Sequence, residues 1–121
     1  MAIDFSLTPE LEAIRARVRT FVDDVIRPGE AVINGEGDAE PLDGKDRLKA
    51  LIGMRKQAHA EGLWLPHMPE EWGGMGLGHV ELAMVQAEAA RSHYGPWVLN
   101  CQAPDEGNMH TLLHWATDAQ K

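Results

Sequence analysis

The stretch "PEEWGGMGLGHVELAMVQAEAARS", Pro69 to Ser92, joins a glycine-dense loop to a run of strong helix formers. Gly73, Gly74, Gly76 and Gly78 crowd into six positions, a density that suggests a phosphate cradle. The spacing refuses it. A dinucleotide fingerprint needs glycines at i, i+2 and i+5, after a strand and opening a helix. Counting from Gly74 and Gly76 reaches His79, and counting from Gly76 and Gly78 reaches Glu81. A P-loop would follow Gly73 and Gly78 with Lys and Ser or Thr, where this chain has His79 and Val80. The loop therefore reads as a backbone that turns sharply to deliver a helix, with Trp72 packed beneath it. The helix it delivers is apolar on more than one face (Val80, Leu82, Ala83, Met84, Val85, Ala87), the pattern expected in the middle of a bundle.

On the N-terminal side, Thr8-Pro9-Glu10 is a helix start: a hydroxyl cap, a proline in the first turn, and an acid at the positive end of the dipole. Leu11, Ile14, Val18, Phe21, Val22, Val25 and Ile26 follow with helical period. Arg27-Pro28-Gly29 reads as its end, and the glycine- and carboxylate-rich segment from Pro28 to Gly44 as a surface loop. That loop lacks the alternating ligand spacing of an EF-hand. A second helix is expected from Lys45 or Asp46 to Ala60, with Leu48, Leu51, Ile52, Arg55 and Ala58 on one side and Gly62 as its terminator.

Beyond Ser92, Gly95-Pro96 breaks the chain. Trp97 to Gln102 suggests a short helix and Asn108 to Ala116 a further one. Thr117-Asp118-Ala119-Gln120 is a capping box, and the sequence stops at Lys121 within the turn it announces, which reads as a chain cut inside an element. No strand pattern or repeat emerges. The expected class is all-α, one domain over residues 1–121.

Composition bounds the function. The 121 residues carry a formal net charge of −8, which argues against nucleic acid and anionic membrane surfaces as partners. Cys101 is the one cysteine, so no internal disulfide can form. No signal peptide and no apolar run of membrane-spanning length is present, and a cytoplasmic location is expected.

Candidate chemistry is sparse. His110 and His114 stand four apart, the spacing of a two-histidine metal face, but Thr111 occupies the place where a metalloprotease motif needs Glu. His59, His67, His79 and His93 are scattered. Cys101 sits among apolar neighbours as a buried, inert thiol. No catalytic residue and no metal site is expected from composition and spacing.

A resemblance adds what spacing does not. "DFSLTPELEAIRARVRTFVDDVI", "AEGLWLPHMPEEWGGMGLGHVELAMVQAEAARS" and "GNMHTLLHWATDAQK" together resemble the N-terminal helical domain of the acyl-CoA dehydrogenases, flavoenzymes that desaturate acyl-CoA thioesters. "NCQAPDEGNM" most resembles the branch that handles long or branched acyl chains. The resemblance implies a helical domain that precedes a middle β-domain and a C-terminal helical bundle. It also implies FAD bound mainly by those later domains, with the catalytic carboxylate in the C-terminal part.

The partners it implies are acyl-CoA and an electron-transfer acceptor, and it implies that this chain alone is inactive and binds no FAD. In this domain it implies a wall of the acyl cavity, falling near Val98, Leu99 and Gln102. Glu106 lies at the same wall but is held out of the site, because an unpaired carboxylate is costly to bury. Helix faces left apolar and exposed would promote self-association. The alternative expectation is a stand-alone helical interaction module without catalysis.

Overall fold

The computed structural model describes residues 2–121. Among them there are helices and turns but no strand, as expected. Helix α1 (Pro9–Phe21) starts where the cap predicts: the Thr8 side chain accepts a hydrogen bond from Leu11 N–H at 3.3 Å. Its inner face buries Val18 and Phe21.

The expected stop at Arg27-Pro28-Gly29 does not occur. The chain passes through a single π-helical segment, Val22–Ile26, and continues as α2 (Arg27–Asn34). Proline has no N–H and its ring crowds the carbonyl four residues back. A widened turn just before it, with Arg27 N–H reaching Val22 O, accommodates the ring without ending the helix. Gly29 lies against the next helix, where a Cβ would press on the flexible end of Met54 (Sδ at 2.5 Å). The helix ends at Gly35, which is left-handed (φ 67°). The irregular segment is thus 35–43, shorter than the predicted 28–44.

Helix α3 (Gly44–Ala60) matches expectation in length, with Asp43 as its cap, accepting from Asp46 N–H at 2.8 Å. Its buried side is rotated from the predicted one. Met54 and Ala58 enter the core, while Leu48 and Ile52 stand exposed.

Helix α4 (His79–Ala89) packs on α1 and buries Leu82, Val85, Glu88 and Ala89. Its second apolar face is uncovered: Val80 is 62% exposed, and Ala83, Ala87 and Ala90 are also exposed. The helix therefore lies at one side of this bundle, not in its middle. Short α5 (Gly95–Leu99) fills the gap between α3 and α4. Gly95 allows this, because a Cβ there would fall 2.7 Å from the Ala89 carbonyl carbon. Helix α6 (Asp105–Trp115) has no fully buried residue, and Trp115 is 86% exposed.

One apolar core joins Val18, Phe21, Val22, Ile26, Ile33, Met54, Ala58, Leu63, Leu82, Val85, Val98 and Leu99. Beside it runs a polar seam invisible to hydrophobic patterning. Glu88 is buried on α4 and takes a two-pronged bond from Arg19 (2.5 and 3.1 Å), joined by Arg91. The Arg19 hydrogen bonds hold its carboxyl below the usual carboxylate range. Glu30 on α2 accepts from the Ser92 hydroxyl at 2.6 Å and from His93 N–H at 3.2 Å, tying the end of α4 to the first long helix.

Candidate functional site

The glycine loop is a closed backbone weave. Gly74, Met75, Gly76 and Leu77 donate their N–H groups to the carbonyls of Pro69, Leu65, Met68 and Pro66, at 2.9 to 3.2 Å. Those amides are spent within the chain, so the loop is no cradle for a pyrophosphate, and the residues present do not fit a flavin's phosphates. Gly74 is required by proximity: a Cβ would sit 2.7 Å from Leu65 O. Trp72 is not packed beneath the loop. It is 44% exposed and lines an apolar groove of about 140 Å³ with Met68, Met109, Leu112, Leu113 and Lys121.

The segment that follows α5 is fixed from several sides. Asn100 caps α5 in the left-handed conformation (φ 55°). The guanidinium of Arg55 lies 3.6 Å from the centre of the Trp97 ring and 4.8 Å from that of Trp64. It donates to Trp97 O at 2.7 and 3.0 Å and to Asn100 Oδ1 at 3.3 Å. Burial lowers the pKa of Arg55. Leu65 N–H donates to Leu99 O at 3.0 Å, joining the glycine weave to α5.

His67 is buried and contacts Asn100 O through Nε2 (3.1 Å) and His110 Nε2 through Nδ1 (3.2 Å). A carbonyl only accepts, so His67 Nε2 carries the proton and its Nδ1 accepts from His110. Burial lowers the pKa of His67 and favours this neutral form. His110 stacks beside His114, with ring centres 6.2 Å apart, but its Nε2 is engaged by His67. Among the described residues no three His, Cys, Asp or Glu side chains gather as a metal site.

A cleft of about 220 Å³ opens here, lined by His67, Leu77, Gly78, His79, Leu82, Glu106 and His110. Of the three residues assigned to an acyl wall, Val98 and Leu99 are wholly enclosed in the core, which they share with Leu82 of the cleft. Gln102 is half-buried, and its carbonyl accepts from Glu106 N–H at 3.0 Å at the start of α6. The structure brings Glu106 and His110 into the cleft instead. The Glu106 carboxylate is not unpaired: Gln86 donates to it at 3.0 Å and to Cys101 O at 3.0 Å. The i, i+4 spacing of Glu106 and His110 was the available signal. What it lacked was Gln86, twenty residues earlier. Cys101 is buried, and its thiol is pushed up to about 12, so it is no nucleophile at neutral pH.

An all-helical chain with a glycine weave feeding α4, and a cleft between that weave and α6, now meets its relatives. The family description "Acyl-CoA dehydrogenase, N-terminal domain" matches residues 8–121, and the chain belongs to that family. It is 29% identical over 119 residues to human acyl-CoA dehydrogenase family member 11, covering 97% of this chain and 15% of that protein. Mouse acyl-CoA dehydrogenase family member 10 is 40% identical over 73 residues, covering 56% of this chain and 7% of the relative. A solved Mycobacterium abscessus structure designated an acyl-CoA dehydrogenase superposes with a TM-score of 0.80 at 30% identity, over 97% of this chain and 30% of that one. The chain thus spans a minor part of each of these relatives. Among the described residues no helix is long and apolar enough to cross a membrane.

Proposed function

We propose that the chain serves as the N-terminal helical layer of an FAD-dependent acyl-CoA dehydrogenase, an oxidoreductase that desaturates acyl-CoA thioesters between the α and β carbons. In this reading it works in the cytoplasm and contributes one wall of the acyl-chain cavity. Val98 and Leu99 act from behind as rigid backing for the cleft, and Gln102 fixes the start of α6, which carries the lining side chains. The flavin and the proton-abstracting carboxylate belong outside these residues, and the full enzyme passes its electrons to an electron-transfer acceptor.

One observation carries the reading: the cleft has an apolar back, Leu77 and Leu82, joined directly to the core that holds Val98 and Leu99. An alkyl chain needs such a surface, and a rigid one. The test uses the enzyme read through from the downstream DNA. Leu82→Trp, which fills the cleft, is expected to raise KM for longer acyl-CoA substrates and leave short ones unaffected. An unchanged chain-length profile would refute the assignment. The 121-residue chain alone is expected to show neither stoichiometric flavin colour nor dye-linked acyl-CoA oxidation.

A second reading, a stand-alone helical assembly module, draws on the uncovered apolar faces of α4 and α6. A stop codon directly after Lys121 would favour it, whereas β-rich coding sequence there favours the enzyme. In both readings these faces drive self-association of the isolated chain, which light scattering at rising concentration would register.

A further inference from the structure

Helix α3 has a charge pattern opposite to the rest of the molecule. Lys45, Arg47, Lys49, Arg55 and Lys56, five of the chain's 11 Lys and Arg, lie on it beside a single carboxylate, Asp46, although the whole chain is at −8. At 100° per residue, Lys45, Leu48, Lys49, Ile52, Lys56 and His59 fall within an arc of about 100°, opposite buried Met54 and Ala58. All six are exposed, and the two aliphatics are 51% and 40% so. Among the described residues Lys45 and Lys56 make no ion pair, and Lys49 meets only Asp46 on its own helix, at 2.9 Å. A groove of about 270 Å³ lies alongside, lined by Ile52, Arg55, Lys56, His59 and Trp64.

We propose that this face of α3 docks an acidic segment of another protein, with carboxylates on the lysine row and an aliphatic side chain in the groove beside Ile52. Charge complementarity selects that occupant. A second copy laid face to face would set lysine against lysine, which is repulsive. An anionic membrane would find only two aliphatics to bury and would face the net negative charge of the remaining surface.

The test titrates the 121-residue chain with a fluorescent acidic peptide of about 16 residues, long enough to follow the ~25 Å of α3. The peptide has leucines on one stripe flanked by glutamates. A scrambled isomer and vesicles of phosphatidylserine and phosphatidylcholine are run beside it. The patterned peptide is expected to bind more weakly as salt rises. Its affinity should fall at least about tenfold for K49E/K56E and by less for K49A/K56A, which keeps good helix formers at both exposed positions. Circular dichroism melts of both variants are expected to match the parent. The scrambled isomer is expected to bind at least about tenfold more weakly. Absent binding, equal binding to the double reversal, or equal binding of the isomer would overturn the proposal. So would vesicle binding in place of peptide binding, or self-association that the lysine substitutions abolish.

Discussion

Replacing Arg55 by alanine is expected to destabilise the chain by about 3 kcal/mol. The guanidinium makes a forked pair of bonds to Trp97 O, and a charged donor to a carbonyl contributes ~1.5–3 kcal/mol; in the variant that carbonyl keeps only the bond from Asn100 N–H at 3.2 Å. Stacking on Trp97 at 3.6 Å and Trp64 at 4.8 Å adds ~0.5–1 kcal/mol for each partly exposed ring. Side-chain ordering offsets part of the sum. For a domain of this size that is a fall in Tm of roughly 10–15 °C. Arg55→Lys keeps a charge and one donor but loses the planar stack and the reach to Asn100, so about half the loss is expected. Urea unfolding followed by far-UV circular dichroism suits the measurement, because tryptophan emission itself will respond to the lost cation. If Arg55→Ala unfolds within about 1 kcal/mol of the parent, the claim that Arg55 fixes the α5 turn is wrong.

Gly74→Ala should cost about 2–4 kcal/mol, since its Cβ must displace backbone at Leu65 and Met68, whereas Gly53→Ala, with open space in mid-helix, should stabilise by up to ~1 kcal/mol. Thermal melts of the pair would separate a steric role from general glycine flexibility. Glu88 has its folded pKa lowered, so its stabilisation is complete above the unfolded value of 4.5 and is lost as pH falls through the folded one. Glu88→Gln should therefore be less stable than the parent at pH 7 and converge with it in acid, read from urea midpoints across pH. Cys101 should resist a disulfide-exchange reagent at pH 8 in the folded chain and react once urea opens the core.

The parts of this fold written in local chemistry could be read from the chain. Thr8 and Gly62 stand where helix α1 starts and just past where α3 ends, and the glycine density marked the sharp turn before α4. Misreadings came where a local signal had a distant cause. Pro28-Gly29 looks like a terminator until the π turn and the approach of Met54 are known. Leu48 and Ile52 look like core until the rotation of α3 is set by what lies beneath it. The partners of Glu88 and Arg55 lie 69 and 42 residues away and leave no periodic trace. The cleft was legible only by neighbourhood. Val98 and Leu99, the residues the resemblance pointed to, are enclosed in the core and do not line the cleft.

The weave of main-chain bonds between residues 65–69 and 74–77 gives that cleft a particular freedom. Its curvature is set by main-chain amides and carbonyls that every residue type but proline carries in full, with Gly74 (close backbone) and Gly76 (φ 63°) as the demanding positions. Side chains projecting from such a frame can be exchanged without remoulding it. A cleft framed this way can change its lining by small, nearly independent steps, each altering the wallpaper and leaving the masonry alone.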